Sequence, residues 1–190
     1  MEKSKNIIAI TGNIGSGKST VMAMLEKRGY KTLSADKFTQ NAYLVAQEKL
    51  IHAFGDGIIE SGEISRKNLS QVAFSSEKNL QKLNQIMHPI IFDMIFESCQ
   101  SQGANFVEVP LLFESGMENY FSQVWIILAS DQNKIARASV RDSVSKTEIE
   151  KRLSFQKNHE ENLENLHIII ENNGDIANLE NQVELGLKNL

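Results

Sequence analysis

The sequence predicts an α/β fold with a five-stranded parallel sheet flanked by helices, and three observations carry that prediction. Five segments read as short strands, at 6–10, 30–34, 105–110, 124–129 and 167–170, and helical stretches separate them. A glycine-rich turn, Gly12-Asn13-Ile14-Gly15-Ser16-Gly17-Lys18-Ser19, joins the first run to a helical segment. About seventy residues after Asp36 carry helical patterns and no strand signal. Strands alternating with helices bury a parallel sheet on both faces. Right-handed crossovers then bring the ends of the strands, and any site built on them, to one edge.

In chain order, the first strand leads through the glycine turn into a helix beginning near Thr20 and stopped by Gly29. Tyr30-Lys31-Thr32-Leu33-Ser34 is the second strand, ending at Ala35-Asp36. Ala46, Leu50, Ala53 and Phe54 share a helix face before Gly55; Leu69, Val72 and Ala73 form a second stripe, and Leu80, Leu83 and Met87 a third. His88-Pro89 is expected to end that helix, with a new one starting at Pro89 and carrying Ile90, Ile91, Met94 and Ile95. The last helix places Ile176, Leu179, Val183, Leu187 and Leu190 on one face, read as core, with Asp175 as N-cap. The chain reads as one domain over 1–190: a core of 1–36 and 104–190, and a helical subdomain at about 37–103.

With 41% apolar and 23% charged residues the chain can bury a full core, and neither repeats nor low-complexity tracts interrupt it. A formal net charge of -4 argues against binding nucleic acid by general phosphate neutralisation. Cys99 is the single cysteine, so no intrachain disulfide forms, and its place in a helical pattern predicts a packed thiol. No apolar stretch is long enough to cross a membrane or serve as a signal-peptide core, and a cytoplasmic setting is expected. The sequence offers no reading of oligomeric state.

The glycine turn completes the pattern G-x-x-x-x-G-K-S/T. Gly12, Gly15 and Gly17 let successive backbone N–H groups, among them those of Asn13, Ile14 and Ser16, converge on one anion at a helix N-terminus. Lys18 adds a mobile charge for terminal phosphates; the Ser19 hydroxyl is placed to ligate Mg²⁺, with Thr20 behind it. Arg137 and Arg141, four residues apart, fall on one helix face and could clamp a polyphosphate. The guanine selector Asn-Lys-x-Asp has no match, since Asn133-Lys134-Ile135-Ala136 lacks the acid, and the chain is short for a motor. Phosphoryl transfer to a hydroxyl needs an acid near the acceptor, and Asp36, just beyond the second strand, is the candidate.

Beyond the glycine turn, Ala35-Asp36, Gly62-Glu63-Ile64-Ser65-Arg66-Lys67-Asn68-Leu69, Met87-His88-Pro89, Pro110-Leu111-Leu112-Phe113-Glu114 and Asn172-Asn173-Gly174 follow in an order and spacing that resembles the dephospho-coenzyme A kinases, over nearly the whole chain. The resemblance implies a P-loop kinase fold with a helical acceptor-binding insertion and, within the core, a helical lid at about 137–158 that closes over ATP. It implies transfer of the ATP γ-phosphoryl group, with Mg²⁺, to the ribose 3′-hydroxyl of dephospho-coenzyme A, the last step of coenzyme A synthesis. It places Asp36 near the acceptor hydroxyl, and Arg66, His88, Pro110, Leu111, Phe113 and Glu114 around the acceptor. Arg137, Arg141 and Gln156 correspond to lid residues, and Asn173 and Gly174 to a loop near the adenine.

Plainer roles stand beside these. His88 before a proline suits a helix end, Arg66 a surface ion pair, and Asp36 a helix N-cap. A kinase for another nucleoside or nucleotide, or a nucleotide-sensing protein without transfer, would share the same loop. Three positions depart from the family's usual pattern: Ser34 replaces an acid two residues before Asp36, Gln40 an arginine, and Leu166-His167 an Ala-Asp step.

Overall fold

The computed structural model describes residues 6–156 and 167–190. In chain order the elements are β1 (Asn6–Thr11), α1 (Lys18–Lys27), β2 (Lys31–Ser34), α2 (Asp36–Phe54), β3 (Ile59–Glu60), β4 (Glu63–Ile64), α3 (Arg66–Ala73), α4 (Glu77–Ser98), β5 (Ala104–Glu108), α5 (Leu112–Ser115), β6 (Gln123–Leu128), α6 (Asp131–Asp142), α7 (Lys146–Leu153), β7 (His167–Glu171) and α8 (Ile176–Leu187). The chain divides into two compact units, Met1–Ser34 with Cys99–Leu190, and Ala35–Ser98.

The first unit holds the sheet predicted from the sequence. Its five strands run in the order β2-β5-β1-β6-β7, every pair parallel. The register aligns Ser34 and Ile10 with Glu108, Thr11 with Ile126 and Leu128 with Glu171, so the carboxyl ends of all five strands share one edge. Ile8, Ile10, Phe106, Trp125, Ile127 and Ile170 bury one face of the sheet against Val21, Met24 and Leu25 of α1 and Leu179 and Val183 of α8. Edge-to-face stacking links Tyr30 to Phe106 at 5.3 Å and Phe106 to Trp125 at 5.1 Å, which fixes the rings in one arrangement. Cys99 is buried, as its pattern predicts.

α8 corrects part of the sequence reading. Asp175 caps it as expected, accepting a hydrogen bond from the Asn178 N–H at 2.9 Å. Only the middle of the apolar stripe is core: Ile176 at the start of the helix and Leu190 beyond its end are exposed, while Gly186 is buried against Trp125.

The second unit is mainly helical, and two features differ from expectation. β3 and β4 form an antiparallel hairpin, Ile59 opposite Ile64 and Glu60 opposite Glu63. Ser61 and Gly62 turn it with φ of 55° and 88°, the two positive values that a two-residue I′ loop requires. Strands of two residues are too short to leave an alternating pattern in the sequence. His88-Pro89 does not end a helix either: α4 runs unbroken through Pro89. A proline costs the helix one hydrogen bond and some strain, about 3 kcal/mol. Burial of Met87, Ile91, Phe92 and Ile95 along one stripe on both sides of the proline offsets that cost, at roughly 1.5–3 kcal/mol for each fully buried large apolar side chain.

Candidate active site

The glycine turn stands at the carboxyl end of β1 and feeds α1, whose helix begins at Lys18. Gly12, Gly15 and Gly17 all have positive φ, at 147°, 76° and 104°. Close packing adds to the requirement: a Cβ on Gly12 would meet the Ile127 carbonyl at the end of β6, one on Gly15 the Lys134 backbone in α6, and one on Gly17 the Asn172 side chain. Three separate elements thus clamp the loop, and each needs a missing side chain. Inside it, the Ser16 N–H donates to the Asn13 carbonyl at 3.1 Å.

Asn172 is the main functional residue that the sequence reading left without a role, although Asn172-Asn173-Gly174 marked its position. Its backbone N–H donates to the Leu128 carbonyl at 2.7 Å, continuing the pairing of β7 with β6. Its buried side-chain amide donates to the Ser16 carbonyl at 2.7 Å, and its own carbonyl accepts from Arg137 Nη1 at 3.0 Å. Asn173 Oδ1 accepts from the Ser130 N–H at 2.7 Å and from the Asn133 amide at 3.3 Å, joining this loop to the start of α6. Gly174 lies beside Asn178, close enough that an added Cβ would stand 3.1 Å from its Cβ.

Lys18 Nζ lies over the loop, donating to the carbonyls of Gly12 at 2.8 Å and Asn13 at 3.2 Å. Gln156 reaches the same loop from beyond α7: its Oε1 accepts from the Ile14 N–H at 2.9 Å and from the Asn13 amide at 3.5 Å. An amide oxygen therefore sits on an N–H that the sequence assigns to phosphate. Beside this contact is a cavity of about 570 Å³ bordered by Asn13, Ser130, Lys134, Glu150, Leu153 and Gln156. Ser19 and Thr20 are exposed on the first turn of α1.

Arg137 and Arg141 share α6 but not their partners. Arg137 is tied to Asn172, whereas Arg141 grips the Asp142 carboxylate at 2.7 and 3.0 Å. Arg152 lies 3.6 Å from the same carboxylate and also pairs with Glu148 at 2.5 Å. Hydrogen bonding to Arg141 holds the Asp142 carboxyl below its ordinary range and raises the guanidinium. The predicted lid runs past the end of α7, and its last residues, Lys157 and Asn158, together with Leu166, lie outside the described residues.

After β5, Pro110 and Glu114 are half-buried, Leu111 is exposed, and Phe113 is buried in α5. In the second unit, Asp36 is the first residue of α2, exposed, and the N-cap is Ala35 without a side-chain hydrogen bond. Asp36 therefore does not serve as the helix cap. Arg66 opens α3, with its guanidinium carbon 5.5 Å from the centre of the Tyr43 ring. It makes no ion pair among the described residues. His88 is half-buried in α4, and burial lowers its pKa.

Among the described residues no group of three or more His, Cys, Asp or Glu could hold a metal ion. Mg²⁺ asks for no such cluster, because it keeps most of its water and takes one or two protein oxygens beside phosphate, and the exposed Ser19 hydroxyl is an oxygen of that kind. Among these residues, too, no helix is long and apolar enough to cross a membrane.

Residues 6–178 match the family model described as dephospho-CoA kinase. The dephospho-CoA kinase of Helicobacter pylori is 35% identical over 192 residues, covering 98% of each chain. That of Fusobacterium nucleatum is 33% identical over 183 residues, covering 94% of this chain and 95% of its own. Among solved structures, dephospho-CoA kinase from Campylobacter jejuni superposes with a TM-score of 0.62 at 29% identity, over 97% and 96% of the two chains. The protein TT1252 from Thermus thermophilus gives 0.79 at 32% identity, over 98% of each. A gluconokinase from Sinorhizobium meliloti, at 13% identity and a TM-score of 0.52, shares the fold alone. By sequence over nearly its full length and by fold, the chain belongs to the dephospho-CoA kinase family.

Proposed function

We propose that this chain transfers the γ-phosphoryl group of ATP to the ribose 3′-hydroxyl of dephospho-coenzyme A, yielding coenzyme A and ADP in the cytoplasm. The observation that carries the reading is the clamped glycine loop with Lys18 over it, set in a chain that matches dephospho-CoA kinases almost end to end. In the reaction the 3′-oxygen forms a bond to the γ-phosphorus and the bond from that phosphorus to the β,γ-bridging oxygen breaks. The electron pair leaves with ADP.

The loop N–H groups and Lys18 bind the β- and γ-phosphates, and the Ser19 hydroxyl offers one oxygen to Mg²⁺, which supplies charge neutralisation when bound. Asp36 orients the acceptor hydroxyl and takes its proton. Arg141 exchanges Asp142 for phosphate as the lid closes, while Arg152 remains to compensate that carboxylate. Gln156 gives up the Ile14 N–H to phosphate at the same time. Arg137 stays with Asn172 and borders the nucleotide together with Asn173 and Gly174. Arg66, His88, Pro110, Leu111, Phe113 and Glu114 are the acceptor-binding residues that the family resemblance implies.

Incubation with MgATP and either dephospho-coenzyme A or a panel of nucleosides and nucleotides, with ADP release coupled to a colour readout, tests the proposal. The expected outcome is turnover with dephospho-coenzyme A far above every other acceptor. A nucleoside turned over faster would reassign the acceptor, and ATP binding without transfer to any of them would indicate a sensor.

A further inference from the structure

The second unit contains a cavity of about 490 Å³ that the loop chemistry does not use. One wall is a single face of α2, with Gln40, Tyr43, Leu44 and Gln47 at the i, i+3, i+4, i+7 spacing that stacks side chains over two turns. The hairpin supplies Glu63 and Ile64 opposite, and Arg66 enters from the first residue of α3. The Gln47 amide donates to the Gly62 carbonyl at 3.3 Å, tying α2 to the hairpin turn. The cavity is of ordinary ligand size, with an apolar stretch at Leu44 and Ile64 and a few polar groups around it.

Among the described residues, Arg66 is the only cation on its lining. The guanidinium lies 5.5 Å from the Tyr43 ring centre, within cation–π range and too close for a base to slip between them. Its N–H groups meet neither a carboxylate nor any other hydrogen-bond partner among the described residues. Glu63, on the same lining, forms no ion pair with it. A long arginine side chain otherwise samples many rotamers, and resting it on a ring reduces what it must lose on meeting a phosphate. Burial pushes the Tyr43 phenol up, against a smaller downward pull from Arg66, so the ring stays neutral and acts as a π surface.

We propose that Tyr43 is a positioning residue for acceptor recognition, its ring presenting the Arg66 guanidinium to the diphosphate of the acceptor within the cavity between α2, the hairpin and α3. Gln40, on the same α2 face, contributes an amide to this site and no second charge, so the cavity's attraction for phosphate rests on how well Arg66 is held. This inference rests on the acceptor-binding reading of Arg66.

The experiment measures KM for dephospho-coenzyme A, KM for ATP and kcat in Tyr43→Leu, Tyr43→Phe, Arg66→Ala and the double variant Tyr43→Leu/Arg66→Ala, with Tm for each. Losing the ring should raise the acceptor KM of Tyr43→Leu by about 3- to 10-fold, the range expected of a partly desolvated cation–π contact. ATP KM and Tm should stay near wild type, and Tyr43→Phe should restore the acceptor KM. In the Arg66→Ala background the Leu substitution should add nothing. If Arg66→Ala raises the acceptor KM but Tyr43→Leu does not, the positioning role is overturned while the site remains. If Tyr43→Leu raises both KM values and lowers Tm, or if Phe fails to rescue, the ring is a packing element and the proposal fails. An unchanged acceptor KM in Arg66→Ala removes the reading of Arg66 itself, and the inference with it.

Discussion

Asn172 shows how one buried amide can hold a phosphate loop in shape. Its side chain adds to the positive φ in barring a Cβ from Gly17, it satisfies the Ser16 carbonyl, and through its own carbonyl it seats Arg137. Replacement by alanine leaves a buried acceptor unpaired and should cost on the order of 1–3 kcal/mol. Asn172→Ala is therefore expected to lower Tm and raise the KM for ATP together; an unchanged ATP KM would separate the amide from the nucleotide site. His88 is argued on different grounds. Burial keeps its imidazole below the ordinary histidine pKa, so the folded chain holds the neutral form to lower pH than the unfolded chain does. As pH falls through about 6.5 the unfolded state takes up its proton first, and stability drops until the folded state also protonates. His88→Gln removes that difference. Its Tm should fall less than wild type between about pH 7 and pH 5 in thermal scans, and parallel curves would contradict the assignment.

At the scale of elements, α8 and the helix through Pro89 show where local pattern yields to packing. Gly186 lies in the last turn of α8, where alanine would add about 1 kcal/mol of helix propensity. An added Cβ would stand 2.8 Å from Trp125 Cη2, and Trp125 is fully buried and stacked on Phe106. Overpacking costs about 1–3 kcal/mol, so Gly186→Ala should destabilise on balance, read as a lower denaturant midpoint. A higher midpoint would mean that the indole can move. The five strands of the sheet were legible because each is short and carries apolar or β-branched residues, from Thr32-Leu33 in β2 to Ile168-Ile169-Ile170 in β7, and the parallel order followed from their alternation with helices. The β3–β4 hairpin was not legible, since two residues per strand leave no period; only Ser61-Gly62 hinted at a turn. The unbroken α4 was hidden because Pro89 is a strong local stop, overridden by an apolar stripe that the sequence shows on both sides of it.

Across the whole molecule, chemistry was easier to read than partnership. Gly12, Gly15, Gly17, Lys18 and Ser19 identify themselves, because phosphate binding needs those residue types at that spacing. The walls against the glycines come from Ile127, Lys134 and Asn172, far away in sequence and invisible to any local pattern. The spacing of Arg137 and Arg141 put both on one helix, but it gave no sign that Asp142 holds one and Asn172 the other. Among the described residues the plainer roles weighed for Asp36 and Arg66 are absent as well: Ala35 is the cap of α2, and Arg66 rests on a ring instead of an acid. Asp36 is an exposed carboxylate that caps nothing, two residues past β2 in the sequence. The most direct test of phosphoryl transfer through Asp36 is the turnover number of Asp36→Asn at saturating MgATP and dephospho-coenzyme A. A loss of about 10²- to 10⁴-fold is expected for removal of a general base; turnover equal to wild type would contradict the account.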